Sequence, residues 1–200
     1  ELSVGCIYMN PIFEAPSTHK YNTTDYMKVD PSFGNEKTLI DLLQKAHSQD
    51  IKILLDGVFN HTGDTFFAMK ENFLKQQKSQ YLDWYHILSF PITKSSKSYK
   101  CWWDYPDLPQ LNLYNPKVRA YIAQVVSKWS GVGTDGWRLD AVDQIPNWFW
   151  KEFFMPLIKG INKDLFIVGE YWKDSSIYFE EPSFDSVMNY IFRDAAIAYA

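Results

Sequence analysis

Short apolar runs alternate with segments of helical periodicity along most of this chain, and this alternation limits its fold more than any other feature. The runs cover residues 4–9, residues 51–55, the stretch that ends at Asp140, residues 165–170 and residues 184–190. Runs of this length predict strands, and strands that alternate with helices favour βαβ units in a parallel sheet. We therefore predict an α/β fold.

Apolar side chains at three- and four-residue steps predict the helices between these strands. In the helix predicted for residues 36–48, the buried face comprises Leu39, Leu42, Leu43 and Ala46. Asn115-Pro116 has the form of a helix start, with Asn as the cap and Pro in the first turn. The buried face of that helix comprises Val118, Ile122, Val125, Val126 and Trp129. A third helix is predicted for residues 147–161.

Two segments interrupt this rhythm. Residues 11–31 are rich in Thr, Asn, Asp and Tyr, and they predict a long polar loop. Residues 62–109 are too long for an ordinary connection and predict a small inserted subdomain or lid. Within it, Trp102 and Trp103 could line a cleft or form the insertion's own core, and we favour the core. The stretch from Lys94 to Lys100 predicts a solvated loop.

Polar side chains follow the predicted strands at their carboxyl ends, namely Asn10, Asn60 with His61, Asp140 and Glu170. In a β/α barrel this end carries the active site. About five strands do not close a barrel of eight, so the sequence looks like the middle of a larger domain. The chain also starts with Glu1 inside what looks like a strand, and we expect the N-terminus of the parent protein to precede it.

Asp140 and Glu170 have the surroundings of a nucleophile and a proton donor. Arg138 lies two residues before Asp140, and a guanidinium that close keeps a carboxylate ionised at neutral pH. Glu170, beside Tyr171 and Trp172, is expected in a drier environment that suits an acid. Two carboxyl groups in opposite protonation states are the minimum equipment of a retaining glycosidase. Taken alone, an Arg–Asp pair is more often a structural ion pair than a catalytic one.

Composition narrows the range of partners. The net charge of −4 and the lack of a basic stripe give no support for nucleic-acid binding. No apolar run approaches the length of a membrane-spanning helix, and no signal peptide is visible. The aromatic content of 18% would supply either platforms for sugar rings or additional core. Cys6 is expected to be a buried thiol, and two cysteines do not suggest a disulfide.

Four segments together resemble motifs of glycoside hydrolase family 13, the α-amylase family. In chain order they are Asp56-Gly57-Val58-Phe59-Asn60-His61, Leu108-Pro109-Gln110-Leu111-Asn112, Gly136-Trp137-Arg138-Leu139-Asp140 and Val168-Gly169-Glu170. Each short match alone is a weak signal, but all four occur in the family's order, with the long insertion after His61. The resemblance covers nearly the whole chain.

The resemblance implies a partial (β/α)8 TIM barrel that comprises about strands 2 to 6, with an inserted subdomain after the third barrel strand. Residues 1–61 would form the first part of the barrel and residues 62–112 the inserted subdomain. Residues 113–200 would form the second part of a barrel that is incomplete at both ends.

The resemblance also implies roles for the two acids. Asp140 is similar to the family's nucleophile and Glu170 to its acid/base, which together perform a double displacement with retention. Arg138 would hold the Asp140 carboxylate ionised and in position. Asp56 would support the end of its own strand.

Four further residues match positions that contact substrate in the family. His61 would donate or accept a hydrogen bond with a hydroxyl of the sugar at the cleavage site. Tyr26 matches the tyrosine that stacks under the same sugar. Tyr171 and Trp172 would shape the acceptor side.

Residues 136–140, 169–172 and 184–190 look most like those of neopullulanases, cyclomaltodextrinases and maltogenic amylases. This subgroup implies hydrolysis or transglycosylation of α-1,4 or α-1,6 glucosidic bonds in cyclodextrins, pullulan, starch or maltooligosaccharides. Gln110 and residues 141–144 depart from the subgroup's pattern, so the linkage stays open. The expected partner is an α-glucan, and the subgroup also suggests a cytoplasmic, homodimeric parent protein.

We expect no required cofactor. Many family members carry calcium where the inserted domain meets the barrel. Two positions that often support that calcium are Gln110 and Gln144 here, although Asn60 is present. We therefore expect no calcium at this interface, and catalysis would need no metal.

The family uses a third carboxylate, next to a histidine on a later strand, and no matching segment follows Tyr190. Such groups act as a unit, so the loss of one lowers the rate by several orders of magnitude. We therefore expect these 200 residues alone to be essentially inactive. Two alternatives stay open: a catalytically silent glycan-binding or ancillary relative, and an α-1,6-glucosidase or isomerising enzyme of the same family.

Overall fold

A computed structural model of the chain describes residues 3–180 and 183–199, so Glu1, which the sequence places in a strand, lies outside the described residues. The strands are β1 (Cys6–Tyr8), β2 (Phe13–Glu14), β3 (Asp25–Val29), β4 (Lys52–Gly57), β5 (Gly136–Leu139), β6 (Phe166–Gly169) and β7 (Ser186–Val187). The α-helices are α1 (Glu36–His47), α2 (Phe67–Lys75), α3 (Pro116–Gly131), α4 (Met155–Ile161), α5 (Ile177–Glu180) and α6 (Tyr190–Tyr199).

The main sheet has five parallel strands in the order β1-β4-β5-β6-β7. This arrangement confirms the predicted α/β class and the partial (β/α)8 barrel. The registers pair Gly57 with Leu139 and Leu139 with Gly169, so the carboxyl ends of β4, β5 and β6 meet at one edge. That edge brings the residues that follow these strands together. β7 is shorter than the strand predicted for residues 184–190.

The predicted faces of the two long helices are confirmed with one exception. Asn35 caps α1, since its Oδ1 accepts a hydrogen bond of 3.2 Å from the Thr38 amide. On that helix Leu42 is 40% exposed and lies outside the buried face, which is a correction. Asn115 caps α3 by accepting from the Lys117 amide at 2.8 Å, and Pro116 occupies the first turn. All five predicted core residues of α3 are buried.

Two further predictions are corrected, a loop and a buried thiol. Residues 11–31 are not only a loop, because β2 and β3 pair there as an antiparallel hairpin. This hairpin places the rings of Phe13 and Trp129 5.2 Å apart, in the core. Among the described strands, β1 lies at an edge of the main sheet and pairs with β4 alone, so the thiol of Cys6, which was predicted to be buried, is exposed.

The helix predicted for residues 147–161 is present, but it starts as a π-helix over Phe149–Phe154 and continues as α4. Pro156 lies in the first turn of α4 and has no amide hydrogen to donate, which accounts for a change of helix type at this point. The side chains of Phe149, Trp150 and Phe154 are fully buried.

The inserted segment consists of α2, short 3₁₀ turns and isolated antiparallel bridges such as Ile87 with Tyr99. Its buried aromatic side chains belong to the same hydrophobic cluster as those of the barrel. The boundaries 1–61, 62–112 and 113–200 therefore stay a prediction. Lys94 is not simply solvated, because it forms ion pairs with Asp64 and Asp107. Of the helices in the described ranges, none combines the length and apolar character needed to cross a bilayer.

Candidate active site

One buried guanidinium holds three carboxylates at the carboxyl edge of the sheet. Nη1 of Arg138, on β5, lies 2.9 Å from both oxygens of Asp56, at the end of β4. The same nitrogen lies 2.8 Å from Oδ1 of Asp140, which follows β5. Nη2 lies 2.7 Å from Oε1 of Glu170, which follows β6. Asp56, Arg138 and Asp140 are each less than 10% exposed, so these contacts act with little screening by solvent.

The electrostatics differ from the sequence-based expectation for Asp140. Burial raises the pKa of Asp140 to about 7, and the charge of Asp56 acts in the same direction, while Arg138 opposes both. Burial likewise raises the pKa of Asp56 to about 6. Since one cation serves three acids, Arg138 only partly offsets the effect of burial and of the neighbouring carboxylates on the pKa of Asp140. The expectation counted one carboxylate for this guanidinium, and the ionised state of Asp140 stays a prediction.

The side chain of Glu170 is fixed relative to Asp140. The amide of Ala141 donates to Glu170 Oε2 at 3.0 Å, and Trp172 Nε1 donates to Oε1 at 3.1 Å. Ala141 has a φ of 47°, in the left-handed region. The chain therefore turns directly after Asp140, at the residue whose amide donates to Glu170. The two acids are therefore positioned by a shared cation and by adjacent backbone.

His61 lies in the same cleft as a neutral side chain. It is 2% exposed, and burial lowers its pKa to about 4. Its Nδ1 lies 3.2 Å from the side-chain nitrogen Nδ2 of Asn60, which can only donate, so Nδ1 accepts and the ring proton lies on Nε2. Within the described part of the chain, Nε2 is buried and has no partner at regular hydrogen-bond geometry. The backbone of Tyr21 acts on the ring by a hydrogen bond that opposes the effect of burial on the pKa of His61, and a ligand hydroxyl could replace that contact.

Tyr26 is not at the cavity, which corrects its expected role under a sugar ring. It is 3% exposed, and its hydroxyl donates to the carbonyl oxygens of Val58 at 2.9 Å and His61 at 2.8 Å. Tyr21, which the sequence analysis missed, lines the cavity instead and donates to Asp56 Oδ2 at 3.2 Å. The sequence signal was ambiguous because both tyrosines lie in the same polar segment.

We expect Tyr26→Phe to lower the free energy of unfolding by about 1–2 kcal/mol, because two buried carbonyl oxygens lose their donor. The measurement is urea denaturation, with Tyr114→Phe as a control on an exposed tyrosine. Unchanged stability in Tyr26→Phe would show that the two carbonyl oxygens do not depend on the Tyr26 hydroxyl.

The acids face a cavity of about 760 Å³, a size typical of small-ligand sites. Its polar lining includes His61, Asp140 and Glu170. Its aromatic lining is contributed by Tyr21, Trp102, Trp103, Tyr105, Tyr171 and Trp172. The preference for Trp102 and Trp103 as the insertion's own core was therefore wrong, and Trp103 is 61% exposed. Tyr171 and Trp172 line the cavity, and their role on the acceptor side stays a prediction.

The residues at the interface of insertion and barrel do not fit a calcium ion. Oδ1 of Asn60, the oxygen that would bind a cation, accepts a hydrogen bond of 3.2 Å from the side-chain amide of Gln110. Gln144 lies in the cavity lining instead. In the ranges 3–180 and 183–199, no group of three or more His, Cys, Asp or Glu side chains is arranged to hold a metal. A catalytic site without a metal or cofactor stays a prediction.

Comparisons with known proteins agree on one family. The family model described as "Alpha amylase, catalytic domain" matches residues 1–200. The neopullulanase 2 of Thermoactinomyces vulgaris is 44% identical over 201 residues, which cover 100% of this chain and 34% of that protein. A solved cyclomaltodextrinase is 39% identical with a TM-score of 0.93, over 98% of this chain and 34% of that one. The cyclic α-maltosyl-(1→6)-maltose hydrolase of Arthrobacter globiformis, solved in complex with the sugar of that name, is 34% identical with a TM-score of 0.90. The match covers 95% of this chain and 43% of that one. The chain spans about a third of the length of the curated relatives it matches.

Proposed function

The chain belongs to the α-amylase family, and from this premise we propose that it forms the central part of the catalytic domain of a retaining α-glucan hydrolase or transglycosylase. The activity is proposed for a longer parent protein, since the matched relatives are about three times as long as this chain. These 200 residues alone are expected to be essentially inactive.

One observation carries the proposal: Asp140 and Glu170 face a single cavity and share the guanidinium of Arg138. A sugar bound there would have one carboxyl group near its anomeric carbon and the other near its glycosidic oxygen. This placement of two acids is the requirement for glycoside cleavage by two successive displacements.

In the first displacement, the Asp140 carboxylate attacks the anomeric carbon while Glu170 gives its proton to the departing oxygen. The product is a glycosyl ester on Asp140. In the second, Glu170 removes a proton from water or a sugar hydroxyl, whose oxygen displaces Asp140. Two inversions retain the configuration. Nε2 of His61 would donate to a hydroxyl of the sugar held at Asp140, and the ring of Tyr21 would flank that sugar.

The proposed substrates are cyclodextrins, pullulan, starch and maltooligosaccharides, with α-1,4 or α-1,6 bonds. Relatives named neopullulanase and cyclomaltodextrinase support this class. We also propose a cytoplasmic location, because Cys6 and Cys101 are both free thiols, which suit a reducing compartment. A homodimeric parent protein stays a prediction.

Parallel incubation of the parent protein with cyclodextrin, pullulan and isomaltose tests the proposal. We expect cleavage of cyclodextrin or pullulan, with the new reducing end released first as the α-anomer in proton NMR. Release of the β-anomer would contradict double displacement. Binding without any product would favour the catalytically silent relative.

The pH dependence of kcat/KM should reflect the acids that share the guanidinium of Arg138. We expect kcat/KM to fall as the pH drops below an apparent pKa of about 6 to 7, because the cluster of Asp56 and Asp140 then takes up a proton and the nucleophile is lost. Asp56→Asn removes one negative charge beside Asp140, so the acid limb should move to lower pH. The control is Asp83→Asn, an exposed position in the insertion. An acid limb that stays in place in Asp56→Asn would refute this electrostatic account.

A further inference from the structure

An aromatic row runs along one wall of the cavity from His61 to Trp172. The rings of Trp102 and Trp103 are stacked, with centroids 5.1 Å apart and planes 11° apart. His61 lies 6.1 Å from Trp102 at one end of the row. At the other end, Trp103 meets Trp172 at 6.2 Å and 75°, so the insertion and the loop after β6 touch across the cleft.

Trp103 is held in an unfavourable backbone conformation that presents its ring to the cavity. Trp103 and Asp104 have φ values of 45° and 61°, which residues other than glycine rarely adopt. Backbone hydrogen bonds on either side support the turn, from Trp102 to the Leu108 carbonyl at 3.0 Å and from Tyr105 to the Trp102 carbonyl at 2.9 Å. The ring is 61% exposed, so packing alone does not account for this conformation. Strain of this kind is typical of functional positions.

Contacts place Trp103 on the leaving-group side of the acids. Trp172 donates to Oε1 of Glu170 at 3.1 Å, and Trp172 is the ring that Trp103 touches. His61, which would contact the sugar attached to Asp140, is separated from Trp103 by Trp102. The exposed rings of Trp103 and Trp172 therefore form a corner where a sugar beyond Glu170 would rest.

We propose that Trp103 is an acceptor platform that favours transfer over hydrolysis, an inference that rests on the proposed function. A sugar stacked on Trp103 would present a hydroxyl to the glycosyl–Asp140 ester. The hydroxyl oxygen forms the new bond to the anomeric carbon, the bond to Asp140 breaks with return of its electron pair to the carboxylate, and Glu170 takes the proton. Water undergoes the same step to give hydrolysis, but water gains nothing from an aromatic face.

The test uses the parent protein with maltosyl fluoride as donor and subsaturating maltose as acceptor. Fluoride, the leaving group of this donor, is too small to contact Trp103, so its release reports the first displacement. Chromatography gives the ratio of transfer products to hydrolysis products. We expect Trp103→Ala to lower this ratio about tenfold, the effect of losing one aromatic contact with its buried area. Trp103→Tyr keeps a ring and should restore most of the ratio.

The matched control is Tyr114→Ala, whose ring is 64% exposed and is absent from the cavity lining. Its ratio should equal that of the unaltered protein. An unchanged ratio in Trp103→Ala, or an equal fall in Tyr114→Ala, would overturn the platform while fluoride release still supported the glycosidase. If the unaltered parent protein released no fluoride, the proposed function itself would fail.

Discussion

Asp140→Asn is expected to lower kcat on maltooligosaccharides by about 10⁴-fold or more, since the loss of a group that acts as a unit with its neighbours has effects of this order. An amide oxygen can still accept from Arg138 Nη1, so the side chain should stay in place. It cannot form the ester, because the amide is neither an anion nor a useful nucleophile. The measurement is steady-state turnover, with Asp143→Asn as a control at a cavity residue three positions away.

Glu170→Gln makes a matched companion. Fluoride departs without a proton, so this variant should still release fluoride from maltosyl fluoride while it fails on maltooligosaccharides. Asp140→Asn should fail on both donors. If Asp140→Asn kept a substantial share of its turnover, or if the two variants behaved alike on the fluoride donor, the assignment of nucleophile and acid would not stand.

Arg138→Met is expected to lower the free energy of unfolding by about 3–5 kcal/mol at pH 8, the usual result of leaving buried charge without a partner. Asp56, Asp140 and Glu170 all lose the cation that they share. Their remaining mutual repulsion raises the pKa of the two buried aspartates further above the unfolded-state value. Such groups stabilise the fold at low pH and lose that contribution as the pH rises, so the deficit should shrink at pH 5.

Urea denaturation at pH 5 and pH 8 checks this prediction. Arg138→Lys is the control, because it keeps a charge but cannot offer two nitrogens to three acids. It should be less destabilised than Arg138→Met yet still impaired in turnover. Equal stability of Arg138→Met and the unaltered protein at pH 8 would show that the guanidinium does not hold the cluster together.

Much of the fold could be predicted from the periodicity of apolar residues, because the residues that determine each helix lie close together in the sequence. The face of α3 repeats at three- and four-residue steps, and its cap is a two-residue pattern, so both were visible in the sequence. Asp140 and Glu170 follow their strands directly, and parallel register then brings them to one edge. The edge position of β1 is not local information, and for that reason the exposure of Cys6 was missed.

The parts of the site that were missed depend on contacts between distant positions. Arg138 contacts Asp56, which lies 82 residues earlier in the sequence. Asp56 therefore shares the guanidinium charge with the other two acids. Tyr21 reaches Asp56 across 35 residues, while Tyr26, five positions later, turns into the core. Trp103 reaches Trp172 across the cleft. Such contacts leave no periodic pattern in the sequence, so they could be identified only from the three-dimensional structure.

Trapping the glycosyl ester tests the central claim most directly. A fluorosugar donor with a fluoride leaving group slows the second displacement, because the added fluorine disfavours the positive charge of the transition state. The parent protein is incubated with this donor, digested and mapped by mass spectrometry. We predict a mass increase of one fluorosugar on the peptide that contains Asp140, and none in Asp140→Asn. A label on another residue, or turnover of the donor without any adduct and with inversion, would contradict the account.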